Sequence, residues 1–142
     1  MKTLKQILDA KGHDIWSIQP HDSVFEAIKR MAEKGVGALV VMDGDRLVGI
    51  VSERDYARKV ILKGKASQQT PTREIMTTHV LCARLDQTIE ECMALMTGKH
   101  IRHLPVLEGD QLIGILSIGD LVKAIIADQR FIIEQLEQYI SG

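Results

Sequence analysis

Hydrophobic and polar positions follow the same order twice along this chain. The segment Ile15–Ile61 aligns without a gap onto Val80–Ile126, each residue matching the one 65 positions later. The strongest similarity joins Leu39–Asp55 to Leu104–Asp120. An ungapped match of this length, with identical residues spread through it, indicates an internal repeat. We therefore predict two copies of one folding unit of about 47 residues.

Each copy has the hydrophobic pattern of a βαββα unit. A short strand, Ile15–Ile18 or Val80–Ala83, precedes a helix whose apolar residues recur at helical spacing. Nearly continuous apolar runs follow at Ala38–Met42 and Leu104–Leu107, as expected for strands buried on both faces. Gly35 and Gly98 are predicted to end the first helices. Acidic-Gly-Asp sequences at 43–45 and 108–110 predict hairpin turns that lead into the return strands Leu47–Val51 and Leu112–Leu116. The second helices are predicted to begin at Ser52 and Ser117.

The predicted fold class is α/β (α+β), with two βαββα repeats packed with pseudo-twofold symmetry into one module and flanking N- and C-terminal helices. Neither repeat alone can cover both faces of its sheet. We predict one repeat over residues 11–64, a second over 72–128, and a C-terminal helix over 129–142. The flanking helices are predicted at Thr3–Ala10 and Asp128–Ile140. The apolar stripe of the latter has no place in either repeat, so it packs across the module or against another subunit.

Composition and charge exclude several classes of function. The net charge of −1, from 18 basic and 19 acidic residues, offers no basic excess for nucleic acid. No apolar run approaches the length of a membrane span, and the N-terminus lacks the apolar core of a signal peptide. Cys82 and Cys92 have no CxxC spacing and are expected to be buried and reduced. We predict a cytoplasmic protein with no nucleic-acid and no membrane partner.

Motifs that would indicate catalysis are missing. The sequence has neither a phosphate loop of the Gly-x-x-x-x-Gly-Lys-Ser/Thr type nor a Gly-x-Gly-x-x-Gly after a strand. His100 and His103 have HxxH spacing, but no Glu follows the first His, so no metal site is expected. No arrangement suggests a nucleophile. We predict no catalytic residues and no catalytic cofactor.

Ser52-x-x-Asp55 and Ser117-x-x-Asp120 occupy corresponding positions at the start of a predicted helix in each repeat. This pattern is typical of a capping box. A carboxylate can also accept hydrogen bonds from the vicinal hydroxyls of a ribose, beside a helix N-terminus that favours phosphate. The two interpretations are compatible, so both remain open on the residues alone.

The segments Leu-Val-Gly-Ile-Val-Ser-Glu-Arg-Asp (47–55) and Leu-Ile-Gly-Ile-Leu-Ser-Ile-Gly-Asp (112–120) resemble the strand–Ser/Thr-x-x-Asp signature of cystathionine-β-synthase (CBS) domains. His-Leu-Pro-Val at 103–106 resembles the preceding strand of that family. CBS domains work in tandem pairs, called Bateman modules, which bind adenine nucleotides in the clefts between repeats. The resemblance implies a stand-alone, non-catalytic sensor of AMP, ADP, ATP or NAD(H), with S-adenosylmethionine less favoured. It also implies a homodimer that regulates a separate enzyme or transporter.

The resemblance implies roles for individual residues. Asp55 and Asp120, with Ser52 and Ser117, are expected to hold ribose. Arg54, Arg102 and His103 are expected to bind phosphate, with Arg102 and His103 completing the Asp55 pocket from the other repeat. Gly37 and Ala38 would face Asp120, so phosphate is favoured at Asp55 only. The weaker candidates for the adenine pocket are Thr77, Thr78, Val80, Cys82, Ile15, Trp16, Ile18, Val36, Gly37 and Ala38.

Several alternatives stay open. Trp16 is expected to stack on a base, or to pack in the core or at a dimer interface. The second possible function is a ligand-free scaffold for dimerisation or protein interaction, which the apolar stripe of the C-terminal helix supports. A small nucleotide hydrolase is the third.

Overall fold

The computed structural model describes residues 3–141, which form a mixed α/β fold. The predicted fold class of two βαββα repeats is confirmed. In chain order the elements are α1 (Leu4–Lys11), β1 (Ser17–Ile18), α2 (Val24–Lys34), β2 (Ala38–Asp43), β3 (Arg46–Ser52), α3 (Glu53–Tyr56, continued by a π-helical turn at Ala57–Ile61), β4 (Ala83–Arg84), α4 (Ile89–Lys99), β5 (His103–Glu108), β6 (Gln111–Ser117) and α5 (Ile118–Ser141).

The chain folds as two compact units. Residues 15–81 form the first unit, and residues 3–14 together with residues 82–141 form the second. Each unit has one three-stranded sheet, in the order β1-β2-β3 or β4-β5-β6, whose first pair is parallel and second pair antiparallel. The registers correspond, because Ala38 lies opposite Ser52 and His103 lies opposite Ser117.

The middle strand of each sheet is buried, as the continuous apolar runs predict. In the first unit, Leu39 and Val41 of β2 pack with residues of α2 and β3. In the second unit, Leu104 and Val106 of β5 occupy the same place in the core. Helix α1 also belongs to the second unit, where its apolar face is buried among α4, α5 and the sheet. This face consists of Leu4, Ile7 and Leu8.

Two predicted boundaries in the second repeat are wrong. Helix α4 continues through Gly98 to Lys99, and His100 takes the left-handed cap with a φ of 56°. The capping residue of α2 is Gly35, with a φ of 65°, and His100 is its partner at the repeat offset. Strand β4 begins at Ala83 rather than at Val80, and β1 in the first repeat begins at Ser17 rather than at Ile15. The repeat alignment therefore locates the end of α4 better than local composition does, but it does not improve the start of the short strands.

The second helix of the second repeat and the C-terminal helix are one element. Helix α5 runs for 24 residues from Ile118 to Ser141 without a break, so the segment predicted to be helical at Asp128–Ile140 is its C-terminal part. Every residue from Gln129 to Ser141 is exposed. Within residues 3–141, no helix combines the length and the apolar character that crossing a bilayer requires.

Candidate functional site

The Ser-x-x-Asp motif forms the same cap in both units. Asp55 Oδ2 accepts hydrogen bonds from the backbone N of Ser52 at 3.0 Å and from its Oγ at 3.1 Å, and Ser52 Oγ accepts from the backbone N of Asp55 at 3.2 Å. In the second unit, Asp120 Oδ2 accepts from Ser117 N at 2.8 Å, and Ser117 Oγ accepts from Asp120 N at 3.2 Å. The capping interpretation is confirmed, and the reciprocal bonds hold each carboxylate at a helix start.

Each of these carboxylates also has a lysine beside it. Lys59 Nζ lies 3.2 Å from Asp55 Oδ1 and donates to the carbonyl of Ile75 at 2.9 Å. Lys11 Nζ lies 2.7 Å from Asp120 Oδ2 and donates to the carbonyl of Ile115 at 2.7 Å. The two sites therefore share one arrangement: a helix-start carboxylate, an ammonium group, and a backbone carbonyl that fixes that ammonium.

The two lysines come from different elements. Lys59 lies one turn after Asp55 in the same helical segment, whereas Lys11 is the last residue of α1. The residue of the second repeat that corresponds to Lys59 is Ala124, which cannot supply a charge. Helix α1 thus provides the cation that the second repeat lacks at this position.

The environment of Asp120 favours its ionised form. Its side chain is 18% exposed, and this partial burial, the largest single influence, acts to raise the pKa of the carboxyl. Hydrogen bonds from Lys11 and Ser117, together with the charge of Lys11, outweigh burial and hold the pKa of Asp120 below its usual value. The carboxylate is therefore available as an acceptor at neutral pH.

Replacing Lys11 with Met is expected to raise the pKa of Asp120, because the dominant stabilising donor and charge are removed while burial remains. A lowered folded-state pKa stabilises the fold above the ordinary carboxyl pKa, and this contribution is lost as the pH falls through the folded value. Acid unfolding of K11M should therefore depend less steeply on pH. Carboxyl-carbon NMR titration measures the Asp120 pKa directly, with the exposed Lys5→Met as control. An unchanged pKa in K11M would contradict the assignment.

A cavity of about 320 Å³ opens beside this pair in the second unit. Lys11, Lys123 and Asp120 are among its lining residues, so it can offer both hydrogen-bond donors and an acceptor. Its size lies at the lower end of small-molecule sites. The lining residues are Gln6, Ile7, Ala10, Lys11, Asp120, Lys123 and Ala124.

The predicted adenine-pocket residues of β1 differ in accessibility. Ile18 is buried in the core of the first unit at 1% exposure, so only its backbone can face a ligand. Ile15 is half-buried. Trp16 is 36% exposed, and the Nζ of Lys34 lies 4.3 Å from its ring centroid, a cation–π geometry. The alternative that Trp16 packs in the core is therefore wrong; base stacking and dimer packing stay predictions.

The segment after the linker lies against β3. Thr77 and Ile50 are joined by two backbone hydrogen bonds. Thr77 N donates to the carbonyl of Ile50 at 2.9 Å, and Ile50 N donates to the carbonyl of Thr77 at 3.0 Å. This bridge places Thr77 in the same unit as Asp55, because its partner Ile50 lies on β3 two residues before Ser52. Thr78 is exposed and Val80 half-buried. Cys82 belongs to the second unit and is half-buried rather than buried, and desolvation raises the pKa of its thiol.

The start of each middle strand is bonded to the second helix of its own unit. The carbonyl of Gly37 accepts from Glu53 N at 3.1 Å, and that of Arg102 accepts from Ile118 N at 2.9 Å. The other predicted residues nearby differ in exposure. Ala38 is buried, Val36 and His103 are half-buried, and Arg54 and Arg102 are exposed. That Arg102 and His103 serve a ligand at Asp55 stays a prediction.

Lys11 and Lys59 are the site residues that sequence reasoning missed. Lys59 was available from spacing, because an Asp and a Lys four residues apart face each other on a helix. Lys11 was not, since 109 residues separate it from Asp120. Among residues 3–141, no group of three His, Cys, Asp or Glu side chains is placed to hold a metal ion.

Comparison with known proteins gives a consistent picture. The sequence profile of the CBS domain matches residues 6–62 and 73–127. The mitochondrial CBS domain-containing protein CBSX3 of Arabidopsis thaliana is 35% identical over 99% of this chain and 72% of its own length. A solved structure of a protein with CBS domains from Burkholderia ambifaria is 55% identical, covers 90% of this chain and 96% of its own, and superposes with a TM-score of 0.88.

A more distant structure shares the fold. The CBS domain pair of protein MJ0100, solved in complex with 5′-methylthioadenosine and S-adenosyl-L-methionine, is 24% identical. It superposes with a TM-score of 0.80 over 90% of this chain and 98% of its own.

Proposed function

This chain belongs to the CBS domain family, with two CBS domains in tandem, and from that premise we propose that it is a non-catalytic sensor of adenosine-containing nucleotides. The preferred ligands are AMP, ADP, ATP or NAD(H). The observation that carries the proposal is the repeated site: in each unit a helix-start carboxylate, 17% or 18% exposed, lies beside an ammonium group.

The chemistry of this site suits a nucleotide. An ionised carboxylate accepts hydrogen bonds from both hydroxyls of a ribose, and an ammonium group or a helix N-terminus binds phosphate. In this proposal Lys59 and Lys11 rotate from carboxylate to phosphate when the ligand arrives. That MJ0100 was solved with two adenosine derivatives supports the view that this fold accommodates such ligands.

The two sites are proposed to differ in affinity. Arg54 precedes Asp55 and adds a second cation on the same helix, whereas Gly119 precedes Asp120. The Lys11–Asp120 contact at 2.7 Å is also shorter than the Lys59–Asp55 contact at 3.2 Å. A ligand at Asp120 must therefore displace a stronger internal partner and finds no arginine next to the carboxylate, so Asp55 is proposed as the tighter site.

Calorimetry with AMP, ADP, ATP, NAD, NADH and S-adenosylmethionine tests this function. We expect one of the nucleotides to bind, and Asp55→Ala to weaken its binding about 10- to 100-fold, because hydrogen bonds to a charged group contribute about 1.5–3 kcal/mol. Asp120→Ala should weaken it less. Asp45→Ala, in an exposed turn of the first unit, is the matched control. No heat and no thermal shift with any ligand would refute the proposal; equal losses in the two Asp variants would refute the asymmetry.

The signal is proposed to pass through a homodimer to a separate enzyme or transporter. A nucleotide shifts the shape of the module only as far as it binds two arrangements with different affinity. Micromolar binding corresponds to about 8 kcal/mol, enough to bias states that differ by a few kcal/mol.

The second candidate, a ligand-free scaffold, is favoured by one observation, the exposed apolar face of α5. It predicts that nucleotides leave the oligomeric state unchanged while residues 131–140 remain essential for association. Calorimetry distinguishes the two functions, because the scaffold binds none of the nucleotides that the sensor binds.

A further inference from the structure

The C-terminal part of α5 carries an apolar surface that faces solvent. Five large side chains there are between 53% and 85% exposed. Helices in proteins gain most of their stability from packing of an apolar face, so this exposed face is expected to have a partner. We call these residues the C-terminal stripe: Ile132, Ile133, Leu136, Tyr139 and Ile140.

The stripe has the spacing of a coiled-coil seam. Ile133 and Ile140 are seven residues apart, and Leu136 lies three residues after Ile133, which places them at a and d positions of a heptad. At 3.6 residues per turn, Ile132 and Tyr139 extend the seam along one edge. Phe131, 62% exposed, lies on the opposite side of the helix and is outside the stripe.

We infer that the C-terminal stripe pairs with the stripe of a second copy of this chain, in antiparallel orientation. The edge of the seam opposite Tyr139 carries Arg130 and Glu137, both at e positions. In an antiparallel pair, e positions face e positions. When Ile133 packs against Leu136 of the partner subunit, Arg130 meets Glu137 of the partner subunit, and twofold symmetry repeats this ion pair.

The other edge fits the same register. There Ile132 packs against Tyr139 of the partner subunit, so this edge is apolar on both chains and has no charged side chain. Within the seam, Ile140 then lies opposite Gln129 of the partner subunit. The surface is complementary to itself, as a closed twofold interface requires.

A parallel pair fits the same residues poorly. In that arrangement g positions face e positions, so Ile132 would lie against Glu137 of the partner subunit and Ile125 against Arg130 of the partner subunit. Both ionic groups would then be partly desolvated beside apolar side chains, without an opposite charge. The distribution of charge therefore selects the antiparallel orientation.

Light scattering coupled to size-exclusion chromatography tests the surface. The inference rests on the homodimer of the proposed function, and the wild-type chain should elute as a dimer. Leu136→Glu should shift it to monomer, whereas Phe131→Glu, equally exposed but outside the stripe, should not. Arg130→Glu should weaken the dimer, and combining it with Glu137→Arg should restore it. A monomeric wild type, or a Leu136→Glu chain that stays dimeric, would overturn the inference.

Disulfide trapping tests the orientation. The pair Gln129→Cys and Ile140→Cys should cross-link two chains in the antiparallel register. Ile140→Cys alone should not, because its two copies would be separated by about 16 Å along the axis, at 1.5 Å per residue. Efficient trapping by Ile140→Cys alone would overturn the antiparallel orientation. Calorimetry on Leu136→Glu separates the two ideas, since a monomer that still binds nucleotide leaves the ligand proposal intact.

Discussion

Replacing Leu8 with Ala is expected to lower the free energy of unfolding by about 3 kcal/mol, since a buried leucine truncation typically removes 2–5 kcal/mol. Leu8 is fully buried in the second unit. Its Cδ2 lies 2.7 Å from where a Cβ on Gly114 would stand, so the side chain fills the space that this glycine leaves on β6. Truncation therefore leaves a cavity beside the backbone of β6.

Chemical denaturation monitored by circular dichroism measures this loss. Lys5→Ala, an exposed position on the same helix, is the matched control and should change stability by less than about 0.5 kcal/mol. Because Lys11 ends the helix that Leu8 anchors, L8A should also raise the pKa of Asp120 toward its usual value. A loss in L8A no greater than in K5A would mean that α1 is not part of the core.

Replacing Gly49 with Val is expected to cost about 2–3 kcal/mol, toward the upper end for overpacked sites. A Cβ at this position would stand 2.6 Å from Met76 Sδ and 3.0 Å from the carbonyl oxygen of Thr77. The Met76 side chain can rotate away, but the Thr77 carbonyl is held by its hydrogen bond from Ile50 at 3.0 Å. The substitution must therefore separate this segment from β3.

Two other glycines provide controls of graded effect. Gly114→Ala meets only the flexible end of the Leu8 side chain, so its loss should be smaller than that of G49V. Gly98→Ala, inside α4 with no atom within 4 Å of the added carbon, should stabilise the protein by about 0.5–1 kcal/mol. If G49V is as stable as the wild type, the close approach of Thr77 to β3 is wrong.

Local pattern predicted the middle strands, the return strands and the Ser-x-x-Asp caps well, because their causes are local. The buried runs of β2 and β5 and the Ser-x-x-Asp boxes depend on residues within a few positions of one another. The length of α4 was missed because Gly98 is a permissive residue but not a required stop. His100, an L-residue in the left-handed region, carried no strong local signal.

The candidate site was predictable only in part. Asp55 and Asp120 followed from the motif, and both accept the capping hydrogen bond that it predicts. The lysine of the first unit lay within reach of a spacing argument. Lys11, the lysine of the second unit, reaches Asp120 only through the packing of α1, and no residue near Asp120 in the sequence indicates this contact.

The position of α1 has a consequence for synthesis. Its Lys11 bonds to Ile115, which lies 104 residues later in the chain. At about 5–20 residues per second on the ribosome, the helix waits roughly 5 to 20 seconds for its binding surface to be made. The first unit, residues 15–81, is contiguous and is completed in the meantime. During that interval the apolar side chains of Leu4, Ile7 and Leu8 have no core to pack into and are accessible to chaperones.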